Sequence, residues 1–142
     1  MRALRRARWP GVLNLALDFL PGMGGTAAVR RLLAAGWEID SHSLTHADLT
    51  TREPARLRAE LAGSRARIRR LFGVPANFFA YPYGHLSSGV VAEVRRAGYL
   101  AATATRIGYA APDDRFSLAR VQVSRGTSAA DLLGRLRALR PR

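Results

Sequence analysis

The sequence predicts an α/β fold in which parallel strands alternate with helices. Short apolar runs alternate along the chain with longer segments whose apolar residues recur at helical spacing. Glycine and proline residues lie at most of the boundaries between these segments. Strands that alternate with helices pair in parallel through right-handed crossovers. The periodicity leaves open whether the strands form an open sheet or part of a barrel.

The first strand and helix are predicted near the amino terminus. Residues 12–19 form a short apolar run that indicates a strand, and the Pro-Gly-Met-Gly-Gly segment at 21–25 indicates a turn. Thr26 is a candidate N-cap for the next helix, and Gly36 is its expected left-handed terminator. Residues 37–41 form the second predicted strand.

A long helix and a third strand follow. Thr50 or Thr51 is a candidate cap, Pro54 suits the first helical turn, and the helix runs to about Phe72. Residues 77–81 indicate a buried strand that leads into a loop at 82–84. The buried stripe of the long helix is predicted to consist of Leu57, Leu61, Ile68 and Leu71.

The remaining elements continue the alternation. Ser87 or Ser88 is expected to cap a helix through Ala97, and residues 99–105 form a strand of small side chains. Residues 116–123 indicate one more strand. The last helix is predicted over 128–139, with Ser128 as its cap and Asp131 at the third helical position. The strand aromatics Trp37, Phe78, Phe79 and Tyr99 are expected in the core.

Size and composition indicate one ordered domain over residues 1–142. The chain is 48% hydrophobic and 23% charged, which is ordinary for a globular protein. Its net charge is +13, but all 23 basic residues are arginines spread along the predicted helices, so solvated helix faces explain the charge and no nucleic-acid partner is expected.

Several classes of protein are excluded or disfavoured by what the sequence lacks. The chain has no cysteine, which excludes disulfides, thiolate zinc sites and cysteine nucleophiles. No apolar run approaches the ~20 residues needed to span a bilayer, so no membrane span is expected. Asn14 and Asp18 interrupt the segment at 11–20, which makes it a poor signal peptide. Nothing in the sequence predicts an oligomeric state.

His42 and His46 are the most informative residues of the chain. They are two of its three histidines, and they lie four residues apart directly after the second predicted strand. Loops at the carboxyl ends of parallel strands carry the chemistry of α/β enzymes, and a neutral imidazole pair suits zinc. Asp40 and Asp48 are near enough in sequence to be partners of the imidazole N–H groups. The alternative is one capping or core histidine and one surface histidine.

Two segments around these histidines resemble a known family. Ser-His-Ser-Leu-Thr-His at 41–46, preceded by Ala-Gly-Trp-Glu-Ile, resembles the second motif of the polysaccharide deacetylases, the NodB-like carbohydrate esterases. Phe-Phe-Ala-Tyr-Pro-Tyr-Gly at 78–84 resembles the third motif, and the segments follow in the family's order. The resemblance covers roughly residues 28–105. It implies an incomplete distorted (β/α) barrel of the polysaccharide deacetylase type.

The resemblance also implies a chemistry. Members hold a divalent metal, usually zinc, and remove N-acetyl groups from polysaccharides or oligosaccharides; many are secreted or lie at the cell surface. Carried over to this chain, His42 and His46 are metal ligands, and the backbone N–H of Tyr83 helps to hold the oxyanion. Tyr81 and Tyr83, beside Pro82 at a strand end, are expected to contact a sugar ring.

The chain departs from the family pattern at its acidic residues and its last histidine. Members carry an Asp-Asp pair on an early strand, but Asp18 is the only acidic residue among the first 37 and is a candidate replacement ligand. The Asp113-Asp114 pair lies far downstream and indicates a turn. No histidine follows His85, which is itself expected to be an exposed loop residue.

Where the third motif usually has an arginine, this chain has Ala80. Two hypotheses fit these departures. The domain is a truncated deacetylase that lacks the first strand with its Asp-Asp motif, or it is a degenerate relative that binds a glycan or a partner without turnover. In both cases the 142-residue chain is expected to show little deacetylase activity, because no catalytic base is visible.

Overall fold

The computed structural model describes Leu4 and residues 6–139 of the chain. It contains one parallel sheet in which each strand pairs with the next strand along the sequence, in the order β1-β2-β3-β4. Within the described residues β1 and β4 do not pair with each other, so the sheet is open and matches an incomplete barrel. The predicted parallel α/β class is confirmed. The strands are β1 (Val12–Leu15), β2 (Glu38–Ser41), β3 (Phe78–Ala80) and β4 (Ala101–Thr103).

Helices connect and flank the strands. The α-helices are α1 (Gly25–Ala34), α2 (Pro54–Arg58), α3 (Ser64–Phe72), α4 (Ser88–Arg96) and α5 (Ala129–Ala138). Short 3₁₀ turns lie at Leu17–Phe19, Pro21–Met23, Leu49–Thr51, Pro82–Gly84 and Pro112–Asp114. Of the helices described, none has both the length and the apolar character that a membrane crossing requires.

The core lies between the sheet and the helices that cover it. Every strand contributes to it because parallel sheets are buried by the helices of their crossovers. Of the strand aromatics predicted in the core, Phe79 and Tyr99 are buried, whereas Phe78 is 37% exposed and Trp37, directly before β2, is half-buried. The central side chains of the core are Leu15, Ile39, Phe79, Ala102, Val29, Leu61, Ile68 and Val94.

The first strand is shorter than predicted. β1 ends at Leu15, and the backbone then turns through the 3₁₀ segment Leu17–Phe19. Leu17 and Asp18 donate their N–H groups to the carbonyls of Ser43 and Leu44, at 3.4 and 2.9 Å, instead of continuing the β1 ladder. This tertiary contact, which hydrophobic periodicity does not encode, bends the chain towards the histidine motif.

Two predicted helix boundaries differ from the structure. Helix α1 begins at Gly25 after a left-handed Gly24 (φ 88°), so Thr26 lies inside the helix and is not its cap. The long predicted helix starts at Pro54 with neither Thr50 nor Thr51 as its cap, because both belong to a separate 3₁₀ turn capped by Asp48. Gly36 has φ 82°, as expected of a left-handed terminator.

The long helix contains a π-helical turn at Ala59–Gly63, between α2 and α3. The carbonyl of Leu61 accepts hydrogen bonds from the hydroxyls of Ser64 and Tyr99, both at 2.9 Å. Side chains thus satisfy a backbone acceptor at the widened turn. Turns of this kind interrupt α-helices most often near functional sites.

The last two predicted elements had different outcomes. Residues 116–123 do not form a strand; only Leu118 bridges β4, through Thr103, and most of the segment is half-buried or exposed. The final helix begins as predicted, since the Ser128 hydroxyl accepts from the N–H of Asp131 at 3.1 Å and Asp131 bonds back to Ser128. Ser87 likewise caps α4 through the N–H of Val90.

Candidate metal and glycan site

The two histidines lie together at the carboxyl end of β2. His42 extends the strand ladder, because its N–H donates to the carbonyl of Leu15 at 3.0 Å. His46 returns to it through a short loop, and the two rings meet edge to face with their centroids 4.6 Å apart. The structure therefore brings together the pair that the sequence singled out.

A backbone hydrogen bond sets the orientation of His42. Its Nδ1 lies 2.7 Å from the carbonyl oxygen of Ala80 in β3, and a carbonyl can only accept, so Nδ1 carries the proton. Burial lowers the pKa of His42, and its electrostatic interactions with His46 and Arg120 act in the same direction, against the raising effect of the hydrogen bond to Ala80. In the neutral form of this imidazole, with its proton on Nδ1, Nε2 presents an unshared lone pair.

The loop between the histidines has a strained backbone. Ser43 (φ 72°) and His46 (φ 61°) both adopt left-handed conformations, and the Ser43 hydroxyl accepts the N–H of His46 at 2.9 Å. Tyr83, across the site, has φ 58°. Such a conformation costs of order 1–3 kcal/mol at each non-glycine residue and is retained mainly at functional sites. These residues are three of the four described non-glycine residues with positive φ.

Glu60, in the π-helical turn, holds this loop in place through hydrogen bonds. Its Oε2 accepts the N–H groups of Leu44 and Thr45 at 2.9 and 3.0 Å, and its Oε1 accepts the Thr45 hydroxyl at 2.7 Å. Glu60 is only 7% exposed. One buried carboxylate thus holds two of the three residues between His42 and His46.

Asp40 and Asp48 do not contact the imidazoles as expected. Asp40 is 2% exposed, and its Oδ1 accepts the N–H groups of Asn77 and Phe78, which brings the start of β3 against β2. Burial raises the pKa of Asp40 to about 6, against the lowering effect of these two hydrogen bonds. Asp40 therefore has a structural role where β2 meets the start of β3, a contact that we call the β2–β3 seam.

Asp48 is paired with the third histidine. Its Oδ2 lies 2.7 Å from Nδ1 of His85, while its Oδ1 accepts both the N–H and the hydroxyl of Thr50. The hydrogen bonds from Thr50, followed by that from His85, lower the pKa of Asp48 to about 2. Because the ionised carboxylate only accepts, Nδ1 of His85 carries the proton and Nε2 is left free. His85 is exposed, as predicted, but its orientation is fixed.

The two tyrosines of the third motif have different surroundings. Tyr81 is 1% exposed and its hydroxyl donates to the carbonyl of Phe116 at 2.9 Å, so the prediction that Tyr81 contacts a sugar is wrong. It follows β3 with its side chain in the core. Tyr83 is 57% exposed and packs on His46 with ring centroids 4.7 Å apart. Gly84 and His85 donate the hydrogen bonds of its turn, which leaves the N–H of Tyr83 outside that turn.

The candidate third ligand does not join the pair. Asp18 is exposed in the segment after β1, and no three His, Cys, Asp or Glu side chains in the described part of the chain come close enough to hold a metal ion. The two imidazoles are nitrogen ligands of the kind that zinc takes, and the His42 ring is oriented by its hydrogen bond to Ala80. The described residues do not complete that site.

Sequence reasoning missed Glu60, the Asp48–His85 pair and Phe19. The sequence could have indicated the buried position of Glu60, because it is the one acidic residue on the predicted apolar stripe of the long helix, next to Leu61. Phe19, predicted within a strand, is 52% exposed and lies 5.4 Å from His46 between ring centroids. The Asp48–His85 contact joins loops 37 residues apart and has no sequence signature.

Comparison with known proteins supports a single family. The profile described as polysaccharide deacetylase matches residues 18–102, more than half of the chain. A gellan lyase from Bacillus sp is 38% identical over 94 residues, which cover 66% of this chain and 4% of that much longer protein.

Solved structures agree with the profile. The Streptococcus pyogenes deacetylase PplD has a TM-score of 0.88 at 18% identity, over 99% of this chain and 63% of PplD. BC0361, a polysaccharide deacetylase from Bacillus cereus, has a TM-score of 0.77 at 26% identity, over 87% of this chain and 40% of BC0361. The chain thus spans only part of each relative's length. On the matched profile and the shared fold, it belongs to the polysaccharide deacetylase family.

Proposed function

We propose that this domain is a metal-dependent hydrolase of the deacetylase type, directed at the N-acetyl groups of polysaccharides or oligosaccharides, with His42 and His46 as two of its metal ligands. The observation that carries the proposal is the hydrogen bond from Nδ1 of His42 to Ala80, which leaves Nε2 free beside His46. Metal-binding histidines are commonly oriented in this way, by a hydrogen bond on the ring nitrogen that does not bind the metal.

The chain's own residues would divide the work as follows. A divalent metal held by the two imidazoles would polarise the acetamide carbonyl and lower the pKa of bound water. The backbone N–H of Tyr83, which its own turn does not use, would donate to the oxyanion. Glu60 and Ser43 would keep His46 in place through the loop they bond.

No carboxylate of the described residues joins the two imidazoles in a group that could hold a metal, so we expect the 142-residue chain to release little acetate. We propose that the missing carboxylates belong to a further strand along the outer edge of β1, the open edge next to the histidine loop. A strand in that place would supply both the third ligand and the base.

A second candidate function is glycan or partner binding without turnover. It is favoured by the lack of a third metal ligand among the described residues. Under this function the surface around the histidine pair would bind an oligosaccharide in the absence of metal, and the histidines would contact the sugar directly.

Zinc binding distinguishes the two functions. In equilibrium dialysis with zinc in excess, the purified chain should bind about one zinc ion, and His42→Ala and His46→Ala should each lose it, as measured by elemental analysis against the dialysis buffer. His85→Ala is the matched control, because it removes the third histidine and should leave zinc content unchanged. Equal zinc content in the wild-type chain and His42→Ala would refute the metal site, and glycan binding by metal-free protein would then favour the second function.

Acetate release tests the missing base. The zinc-loaded chain should release acetate from N-acetylglucosamine oligomers no faster than His42→Ala. Rapid release by the wild-type chain alone would show that the chain carries a complete catalytic site, which would overturn the proposed need for a further strand.

A further inference from the structure

Four aromatic rings form a continuous row along the carboxyl end of the sheet. Phe19 packs on His46 at 5.4 Å, His46 packs on Tyr83 at 4.7 Å, and Tyr83 lies 5.8 Å from His85, all between ring centroids. Phe19, Tyr83 and His85 are exposed, whereas His46 between them is half-buried. We call these four residues the aromatic ledge.

Both ends of the ledge are anchored, although their side chains are exposed. At one end, Asp18 donates its N–H to the carbonyl of Leu44, which ties the backbone before Phe19 to the histidine loop. At the other end, Gly84 could carry no side chain, since a Cβ there would lie 2.0 Å from the Thr105 hydroxyl oxygen. Exposed aromatic rings on a fixed backbone are costly for a protein that binds nothing with them and well suited to one that does.

His85 adds a directed polar group to this surface. Asp48 fixes its Nδ1–H at 2.7 Å and is itself held by Thr50, so the free Nε2 of His85 has a defined position next to the Tyr83 ring. Apolar faces with a small number of oriented hydrogen-bonding groups are the usual composition of a site that recognises an amphipathic ligand. A pyranose ring is such a ligand, with apolar C–H faces and polar edges.

From this arrangement we infer that the aromatic ledge is a pyranose-binding subsite next to the histidine pair. Phe19 and Tyr83 stack on successive sugar rings of an N-acetylated oligosaccharide. His85 hydrogen-bonds a sugar hydroxyl, and Asp48 acts as its positioning residue. The inference rests on the proposed function for the choice of ligand, but it assigns Phe19, His85 and Asp48 roles that the metal site does not require.

The test measures binding of chitopentaose, a β-linked N-acetylglucosamine pentamer, to the zinc-loaded full chain by titration calorimetry. Losing one stacked ring or one oriented hydrogen bond should weaken binding roughly three- to tenfold, so Phe19→Ala and His85→Ala should each show such a loss. Phe78→Ala is the matched control. Phe78 is also an exposed phenylalanine, but it lies at the amino end of β3, whereas the ledge lies at the carboxyl end of the sheet. Its affinity should equal that of the wild-type chain.

The role of Asp48 has its own readout. Asp48→Ala should weaken binding as much as His85→Ala, and the double variant should lose no more than either single variant, because both changes remove the same oriented nitrogen. Asp48→Asn keeps an acceptor oxygen and should recover part of the affinity. Additive losses, with no recovery in Asp48→Asn, would refute the positioning role.

Failure of the ledge and failure of the metal site give different results. If Phe19→Ala and His85→Ala bind chitopentaose as tightly as the wild-type chain, or if the wild-type chain binds zinc but no chitopentaose, the ledge is overturned while the metal site stands. If His42→Ala retains its zinc but Phe19→Ala loses glycan affinity, the ledge stands and the metal site falls.

Discussion

The histidine loop and the outer edge of β1 lie on neighbouring parts of the same sheet but are built very differently. In the loop, a buried carboxylate, a buried hydroxyl and a strand carbonyl hold the backbone and one imidazole. Along β1, the side not paired with β2 has no strand partner among the described residues, and Trp9 and Val12 are 68% and 49% exposed.

An apolar cleft lies between the residues that lead into β1 and helix α1. Its volume is about 690 Å³, and its lining includes Trp9, Met23, Val29, Leu32 and Trp37. An unpaired strand edge beside exposed apolar side chains readily accepts another strand. The part of the site that β2 and β3 provide is therefore held by several hydrogen bonds, whereas the outer edge of β1 has no strand partner among the described residues.

The largest expected effect tests whether Glu60 is what makes the histidine loop rigid. Glu60→Ala would remove the acceptor of the partly buried N–H groups of Leu44 and Thr45, at about 1–3 kcal/mol each. The free energy of unfolding in urea should therefore fall by about 3 kcal/mol or more. Glu53→Ala, at an exposed position before the same helix, should change it by less than about 0.5 kcal/mol. Equal free energies of unfolding for the two variants would show that Glu60 does not stabilise the histidine loop.

The second effect is a gain in stability at the β2–β3 seam. The pKa of Asp40 is about 6 in the fold against 3.8 as its ordinary value, so the fold favours the protonated form, and stability is lost as pH rises from about 4 to about 6. One pKa unit corresponds to about 1.4 kcal/mol, which makes the loss roughly 3 kcal/mol above pH 6.

Asp40→Asn keeps an oxygen for Asn77 and Phe78 but carries no charge. Metal-free Asp40→Asn should therefore match the wild-type chain near pH 4 and exceed it by about 2–3 kcal/mol at pH 7. Urea unfolding at several pH values measures the difference. If the difference in unfolding free energy between the two proteins does not change with pH, ionisation of Asp40 does not destabilise the β2–β3 seam.

The smallest effect compares two glycines with similar backbones and different surroundings. Gly84 (φ 77°) faces Thr105, whereas Gly36 (φ 82°) has open space around it. Gly36→Ala should lose about 1 kcal/mol through backbone strain alone. Gly84→Ala should lose about 2 kcal/mol or more, because its Cβ also overlaps Thr105. Equal thermal shifts in the two variants would mean that the Tyr83 turn is not held tightly against β4.

Much of the fold was predictable because local signals agree with it. The spacing of apolar residues in the long helix, the capping pair Ser128 and Asp131, and the left-handed Gly36 are all local features that the tertiary structure preserves. The errors occur where a distant contact replaced a local preference. Phe19 left its predicted strand because the backbone there bonds the histidine loop, and Tyr81 turned into the core towards Phe116.

The sequence by itself determined the alternation of strands and helices and the presence of a histidine pair at the end of β2, because periodicity and spacing are properties of neighbouring residues. Only the tertiary structure decided which nitrogen of His42 is free, that Glu60 supports the loop, that Asp48 pairs with His85 and that Asp18 forms no metal-binding group with the two histidines. These are contacts between segments far apart in the chain, and their distances depend on how the strands and loops pack.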